Sequence, residues 1–256
     1  MALGASIGII YKYLNALPLR VQQRYGNQNE KIHIFETGIQ KLMKSLKILP
    51  VVFIFIFLSS CTRVVKETYP DGTVKSEVMV KNGMKNGEAK YYYPSGMIEL
   101  RVNYTDDKLD GTYEKFNAKG IRTELTNYRN GKKEGGSKSF SDDGWLYMAA
   151  NFTNDTINGV YYEYHENGQV KVSGSYNHGL YDGKWEYFDA GGVKVGYADF
   201  NNGTGKQVAL HFGSKRIKTE VNYVNNEKDG PEIWYDQDGS IEKTIVYSKG
   251  KVVSSK

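Results

Sequence analysis

The chain is poor in cysteine, proline and histidine: one, five and four among 256 residues. A single thiol, Cys61, cannot close a disulfide within the chain, so an exported domain built from it must be held by packing. A surplus of one charge is missing too. Seven of the 34 basic residues and two of the 29 acidic ones fall in residues 1–60, which leaves 27 of each sign beyond them. A nucleic-acid partner needs clustered positive charge to neutralise phosphates, and that class is set aside. The longest apolar run, Ile48 to Leu58, is too short to cross a bilayer as a permanent helix. Beyond residue 61 there is no GxxxxGK[ST], no GxGxxG between a strand and a helix, and no GxSxG, so phosphate-cradling loops and a nucleophile elbow have no motif. Helical periodicity is absent from the same stretch.

What is present begins in the head. Lys44 and Lys47 precede the apolar run, and Leu58-Ser59-Ser60-Cys61 follows it, the order of a secretory signal with a small-residue cleavage site. The tetrapeptide resembles the lipobox of bacterial lipoproteins. That resemblance implies cleavage before Cys61, a covalent lipid on its thiol and anchoring to a membrane of the cell envelope. Thr62 resembles the default residue for outer-membrane sorting in Gram-negative lipoproteins. The alternatives are a plain signal peptide that happens to precede a cysteine, or an uncleaved anchor. Signals start at an N-terminus, so Met43 is read as the start, with residues 1–42 as an upstream segment not made in the cell; the alternative is a long authentic n-region. The expected organisation is therefore 1–42 upstream, 43–60 signal, 61–68 lipidated tether and 69–256 repeat domain.

The rest of the chain is periodic. Glycines recur every 24 residues in two registers, at 87, 111, 135, 159 and 183, and at 72, 96, 120, 144, 168 and 192. Aromatic columns keep the same step. One reads Tyr92, Phe116, Phe140, Tyr164, Phe188, Phe212, Tyr235, and the other Tyr104, Tyr128, Phe152, Tyr176, Phe200, Tyr223, Tyr247. Each column contains one step of 23, which places a one-residue deletion in the turn Gly213–Arg216. Two residues before each second-column ring stands a small or β-branched residue, among them Val102, Ala150, Gly174 and Ala198, which suggests interlocking of ring and small residue. Runs such as Ile98–Tyr104 alternate apolar and polar residues as half-buried strands do. Pairs such as Asn130-Gly131 and Asn167-Gly168 supply hairpin turns.

Gly183-Lys184-Trp185-Glu186-Tyr187-Phe188, followed by Gly192, Phe200 and Asn202-Gly203, resembles the MORN repeat in its bacterial variant form. The resemblance covers residues 69–250. It implies an all-β fold, an elongated single twisted antiparallel sheet of tandem hairpins of about 24 residues. Gly205-Lys206-Gln207, where Asp-Gly is expected, departs from it.

Within that frame His165, His178 and His211 fall at three phases of the repeat and read as incidental substitutions; no metal site is expected. Paired acids such as Asp106-Asp107 sit in turn columns. No residue pattern points to catalysis, and the chain is read as a non-enzyme whose only cofactor is the lipid on Cys61. Function then belongs to the surface. Tyr91, Tyr113, Tyr161, Trp185 and Trp234, outside the aromatic columns, are candidate contact residues, with a second packed face as the alternative. The leading expectation is an envelope scaffold that binds a protein or an envelope polymer. Relatives of this repeat are often labelled antitoxins or immunity-like partners of toxins, which gives a second reading. Stacked rings that hold a cell-wall carbohydrate or choline, as in other aromatic hairpin repeats, give a third.

Overall fold

The computed structural model describes residues 62–256. Cys61, the lipobox residues Leu58, Ser59 and Ser60, the signal and the upstream segment lie outside the described residues. From Thr62 onward the chain is a meander of seventeen strands in one antiparallel sheet, each strand paired with the next. No helix occurs among the described residues. The first strand corrects the expected tether. Thr62–Thr68 is β1, and it pairs with β2 (Val74–Lys81) from Thr62↔Lys81 to Thr68↔Val74. Its Thr and Val residues suit a strand, and it covers an edge of β2 that would otherwise be bare. Every residue of β1 is exposed, so no burial pattern announces it.

Two kinds of turn alternate. The first closes as at His165, whose N–H donates to the Gln169 carbonyl while the Gly168 N–H donates to the His165 carbonyl. Gly168 has φ +82°, the left-handed residue that completes a three-residue hairpin loop. The turns at Gly96, Gly120, Gly144, Gly192 and Gly239 close in the same way. The second kind is a two-residue loop with both φ positive, as at His178 (47°) and Gly179 (85°), which matches the twist of the flanking strands.

Pairing produces rows across the strands. Val78, Ala89, Val102, Tyr113, Thr126, Ser137, Ala150, Tyr161 and Gly174 follow one another as direct cross-strand neighbours. Trp185 and Ala198 extend the row. This spine is the core: Ala89 and Val102 have no exposed surface and Thr126 only 1%. Small spine residues are covered by larger neighbours on the same face, such as Tyr91, Leu100 and Tyr104 over the Val78–Ala89–Val102 cluster. The polar members are satisfied, since the Thr126 and Ser137 hydroxyls share a hydrogen bond of 2.8 Å. The expected interlocking is present at its sharpest at Gly174, where a Cβ would stand 2.2–2.5 Å from the Trp185 indole. Most of the first aromatic column, Phe188 included, is only half-buried.

Units are tied to one another at the turns. In five units the residue before the strand glycine caps the backbone of the two-residue loop twenty positions on: Asp110 for Asn130, Glu134 for Asn154, Asn158 for His178, Asp182 for Asn202 and Asp229 for Lys249, at 3.0–3.3 Å. The residue that opens each three-residue loop ties the turn in two ways, and Asn117 uses both, its Nδ2 also donating to the Asp142 carbonyl of the next unit. Asn117, Ser141, Asp189 and Asp236 cap their own loop. Tyr69, Tyr93, His165 and His211 are longer and reach a backbone carbonyl of the next unit, 23 to 25 residues away. His165 and His211 are thus inter-unit ties, a role their varied neighbours in sequence concealed.

One hairpin is irregular, and it corrects the position of the deletion. In β10 (Val170–Asn177) and β11 (Leu180–Phe188) the pairing steps from Ser175↔Asp182 to Ser173↔Glu186, so β11 carries two extra residues in a bulge. The same offset occurs at Asn86-Gly87, Asp110-Gly111, Glu134-Gly135, Asn158-Gly159 and Asp229-Gly230. Between β12 (Lys194–Asn201) and β13 (Thr204–Leu210) the pairing runs unbroken from Asn201↔Thr204 to Gly196↔Ala209. The two residues before Gly205 are missing, and the following loop, closed by His211 and Arg216, is one residue longer than the others. The net step of 23 therefore hides two losses in a strand and one gain in a turn. Leu210 takes the column place expected for Phe212, which is 83% exposed in the lengthened loop.

Candidate functional site

The irregular hairpin gathers rings. Without the bulge, Gly205 closes directly onto β12, where a Cβ at 205 would lie 2.0 Å from the Asp199 carbonyl oxygen. The next loop, between β14 (Ile217–Val224) and β15 (Glu227–Tyr235), then reaches two units back. Asn226 Oδ1 accepts the Tyr181 N–H and its Nδ2 donates to the Gly179 carbonyl, both at 2.8 Å. The Tyr181 and Tyr223 rings, 42 positions apart, come within 6.4 Å.

The result is an open basin of about 350 Å³ on the spine face. Tyr161 enters from β9 (Thr156–Tyr164), with Tyr176, Tyr181, Tyr187, Phe200 and Tyr223 from the strands that follow. Trp185 forms its floor, packed with Val172, Ala198 and Phe200 and only 3% exposed. Rings meet steeply: Tyr176–Trp185 at 87°, Tyr181–Trp185 at 82°, Tyr161–Tyr176 at 84° and Phe200–Tyr223 at 83°. Such edge-to-face contacts build walls. The Trp185 Nε1 is buried with no hydrogen-bond acceptor. The polar groups at the rim are Glu163, whose Oε1 accepts the Tyr161 hydroxyl at 2.7 Å, and Gln207, which accepts the Tyr223 hydroxyl at 3.0 Å. Lys171 lies 3.3 Å from Glu163 Oε2. Burial pushes the Tyr176 phenol up to about 12. Tyr161 rises further, by burial and then by its bond to Glu163, and Tyr187 by burial. All three phenols stay neutral at ordinary pH.

Of the five expected contact residues the fold brings together Tyr161 and Trp185, and Trp185 is floor and not surface. Tyr91 packs on the Val78–Ala89–Val102 cluster, and Tyr113 stands 5.6 Å from Tyr128. Trp234 donates its indole N–H to Glu232, a spine carboxylate 4% exposed that also holds Lys228 at 2.6 Å. Burial would raise that carboxyl, but the Lys228 bond and charge outweigh it and hold it below the ordinary value. Tyr181, Tyr187 and Glu163 were not singled out by sequence. Among the described residues no group of three or more His, Cys, Asp or Glu side chains comes together to hold a metal, and no helix is long and apolar enough to cross a membrane.

Consecutive hairpins joined by repeated turn-to-turn ties and a continuous spine define an all-β repeat scaffold. The kind of repeat is legible from three segments: residues 85–106, 157–178 and 228–249 match the MORN repeat variant. The matches begin at equivalent strand positions, Lys85, Ile157 and Lys228, three units apart with the irregular hairpin between the last two. These three segments are MORN-variant repeats. No curated protein matches it.

Proposed function

We propose that the protein is a membrane-anchored repeat scaffold of a bacterial cell envelope that binds a protein or an envelope polymer on its spine face. The observation that carries this reading is the ring-lined basin, where the regular unit is broken and side chains that are cover elsewhere are left around an open hollow. Departures from an otherwise consistent pattern concentrate at functional places. The Leu58-Ser59-Ser60-Cys61 sequence supports the anchor. With β1 starting at Thr62, a lipid on Cys61 would hold the first strand close to the membrane surface. In cells given a fatty-acid analogue the wild-type chain should carry the label and sediment with membranes. Cys61→Ser should lose both properties, and a labelled, membrane-bound Cys61→Ser protein would overturn the anchor.

A further inference from the structure

Along the second aromatic column the sheet shows what its rings can hold. The Lys85 ammonium stands 5.0 Å from the centre of the Tyr104 ring, Lys133 5.4 Å from Phe152 and Lys228 4.9 Å from Tyr247. In each pair the lysine is the second residue of the strand just before the ring's own, so these are built cation–π contacts repeated at one step of the unit. At that same step the three basin rings have other neighbours. The equivalent strand position holds Ile157 for Tyr176 and Tyr181 for Phe200, the two rings 5.1 Å apart, and the shortened β13 has Thr204 there for Tyr223; Leu109 holds it for Tyr128. None of the basin's column rings therefore has a lysine at that step, and unlike Tyr128, which shares the lack, they border an open hollow.

The surroundings point the same way. The charged side chain lining the basin is a carboxylate, Glu163. Lys171 pairs with its other oxygen from an exposed position, and an exposed pair of this kind holds its partners weakly. Wall rings border the hollow from several sides, Tyr161–Tyr176 and Phe200–Tyr223 meeting at 84° and 83° and Tyr176–Tyr181 and Tyr181–Phe200 at 37° and 31°. The other hollow of similar size, about 380 Å³ at Trp234, Glu242, Lys243, Ser255 and Lys256, is a notch at the last edge of the sheet with a single ring in its lining.

We propose that the basin of Tyr161, Tyr176, Tyr181, Tyr187, Phe200 and Tyr223 is a binding site for a substituted ammonium group, with the ring faces as cage and Glu163 as counter-charge. Such a group could arrive on a free small molecule or on a lipid headgroup, and the chemistry recognised is the same. The site is independent of whether Cys61 carries a lipid, so failure of the anchor would leave it standing.

The test uses the full-length protein and tryptophan fluorescence. Choline is titrated against its uncharged carbon isostere, 3,3-dimethylbutan-1-ol, and against N-acetylglucosamine. Choline should bind about tenfold more tightly than the isostere, which is the order expected when cation–π attraction separates the two. Glu163→Gln, a change at a half-exposed rim, should weaken choline severalfold and leave the isostere unchanged. Tyr187→Leu, with its melting curve recorded as a check on folding, should weaken it similarly. Sedimentation with phosphatidylcholine but not phosphatidylglycerol vesicles would identify a headgroup as the source, and binding confined to free choline would identify a small molecule. Equal affinity for choline and the isostere, preference for the sugar, or no response to choline by a folded protein would overturn the proposal.

Discussion

Trp185 occupies a spine position that Ala89, Tyr113, Ser137 and Tyr161 fill in other units, and it fits because Gly174 stands beside it. The indole lies where a Cβ would be, so the pair is a lock that neither residue can leave alone. Trp185→Ala should cost about 3–5 kcal/mol, as removal of a large core ring does. Phe188→Ala removes a half-buried ring and should cost less, roughly 1–2 kcal/mol. Gly174→Val should destabilise by about 1–3 kcal/mol or more, through overpacking. Denaturant melts of the three variants check the ranking, and a Phe188 variant weaker than the Trp185 variant would reverse it. The error in the sequence reading is instructive here. Periodicity located both residues, but the aromatic columns drew attention to size, while burial followed the row of small residues that strand pairing lines up. Trp185 stands in that row with Tyr113 and Tyr161, and it was read as a contact residue with a packed face as the alternative.

At the scale of the hairpin, cohesion is carried by turn-to-turn ties that repeat at fixed offsets. In five units the acid or amide before the strand glycine caps the next unit's loop, and the open-chain spacing of twenty residues made that contact invisible without the bulge geometry. Asp182→Ala removes one such cap, at Asn202, and should cost about 1 kcal/mol. Asn226→Ala removes a donor and an acceptor bond that together span the irregular hairpin, and should cost roughly 2 kcal/mol. Thermal melts compare the two, and an Asn226 variant no weaker than the Asp182 variant would mean that the two-unit reach contributes nothing. The count of residues in the sequence did reveal that one unit is short. It could not reveal where, because two losses in β13 and one gain after it leave the same net step as a single loss.

Over the whole described sheet, all-β class, strand order and turns were readable from glycine spacing and alternation, since neighbour-to-neighbour pairing leaves no long-range choice to be made. The basin was not, because it needs contacts between units that the repeat pattern treats as separate. Its tyrosines give the sheet a pH signature. The folded-state pKa of Tyr176 lies near 12, and those of Tyr161 and Tyr187 are raised further, against an ordinary value of 10.0. For groups raised in the folded state the stabilisation is complete below the unfolded pKa and is lost as pH rises through the folded one. Stability should hold to about pH 10 and then decline toward pH 12 and beyond. Melting temperatures between pH 8 and 12, with phenolate absorbance followed alongside, should show a subset of tyrosines that ionise only with unfolding. Glu232 works in the opposite sense: its lowered carboxyl stabilises above the ordinary value of 4.5 and ceases to do so in acid. The account depends most on the closure of the irregular hairpin. Nuclear Overhauser spectroscopy on the isotope-labelled protein tests that closure directly. Cross-peaks should join the Asn226 side-chain amide to the Tyr181 backbone amide, and the Tyr181 ring to the Tyr223 ring. If those peaks are absent while the contacts between adjacent units at the regular turns are present, β13 carries a bulge like the rest and the basin does not exist as described.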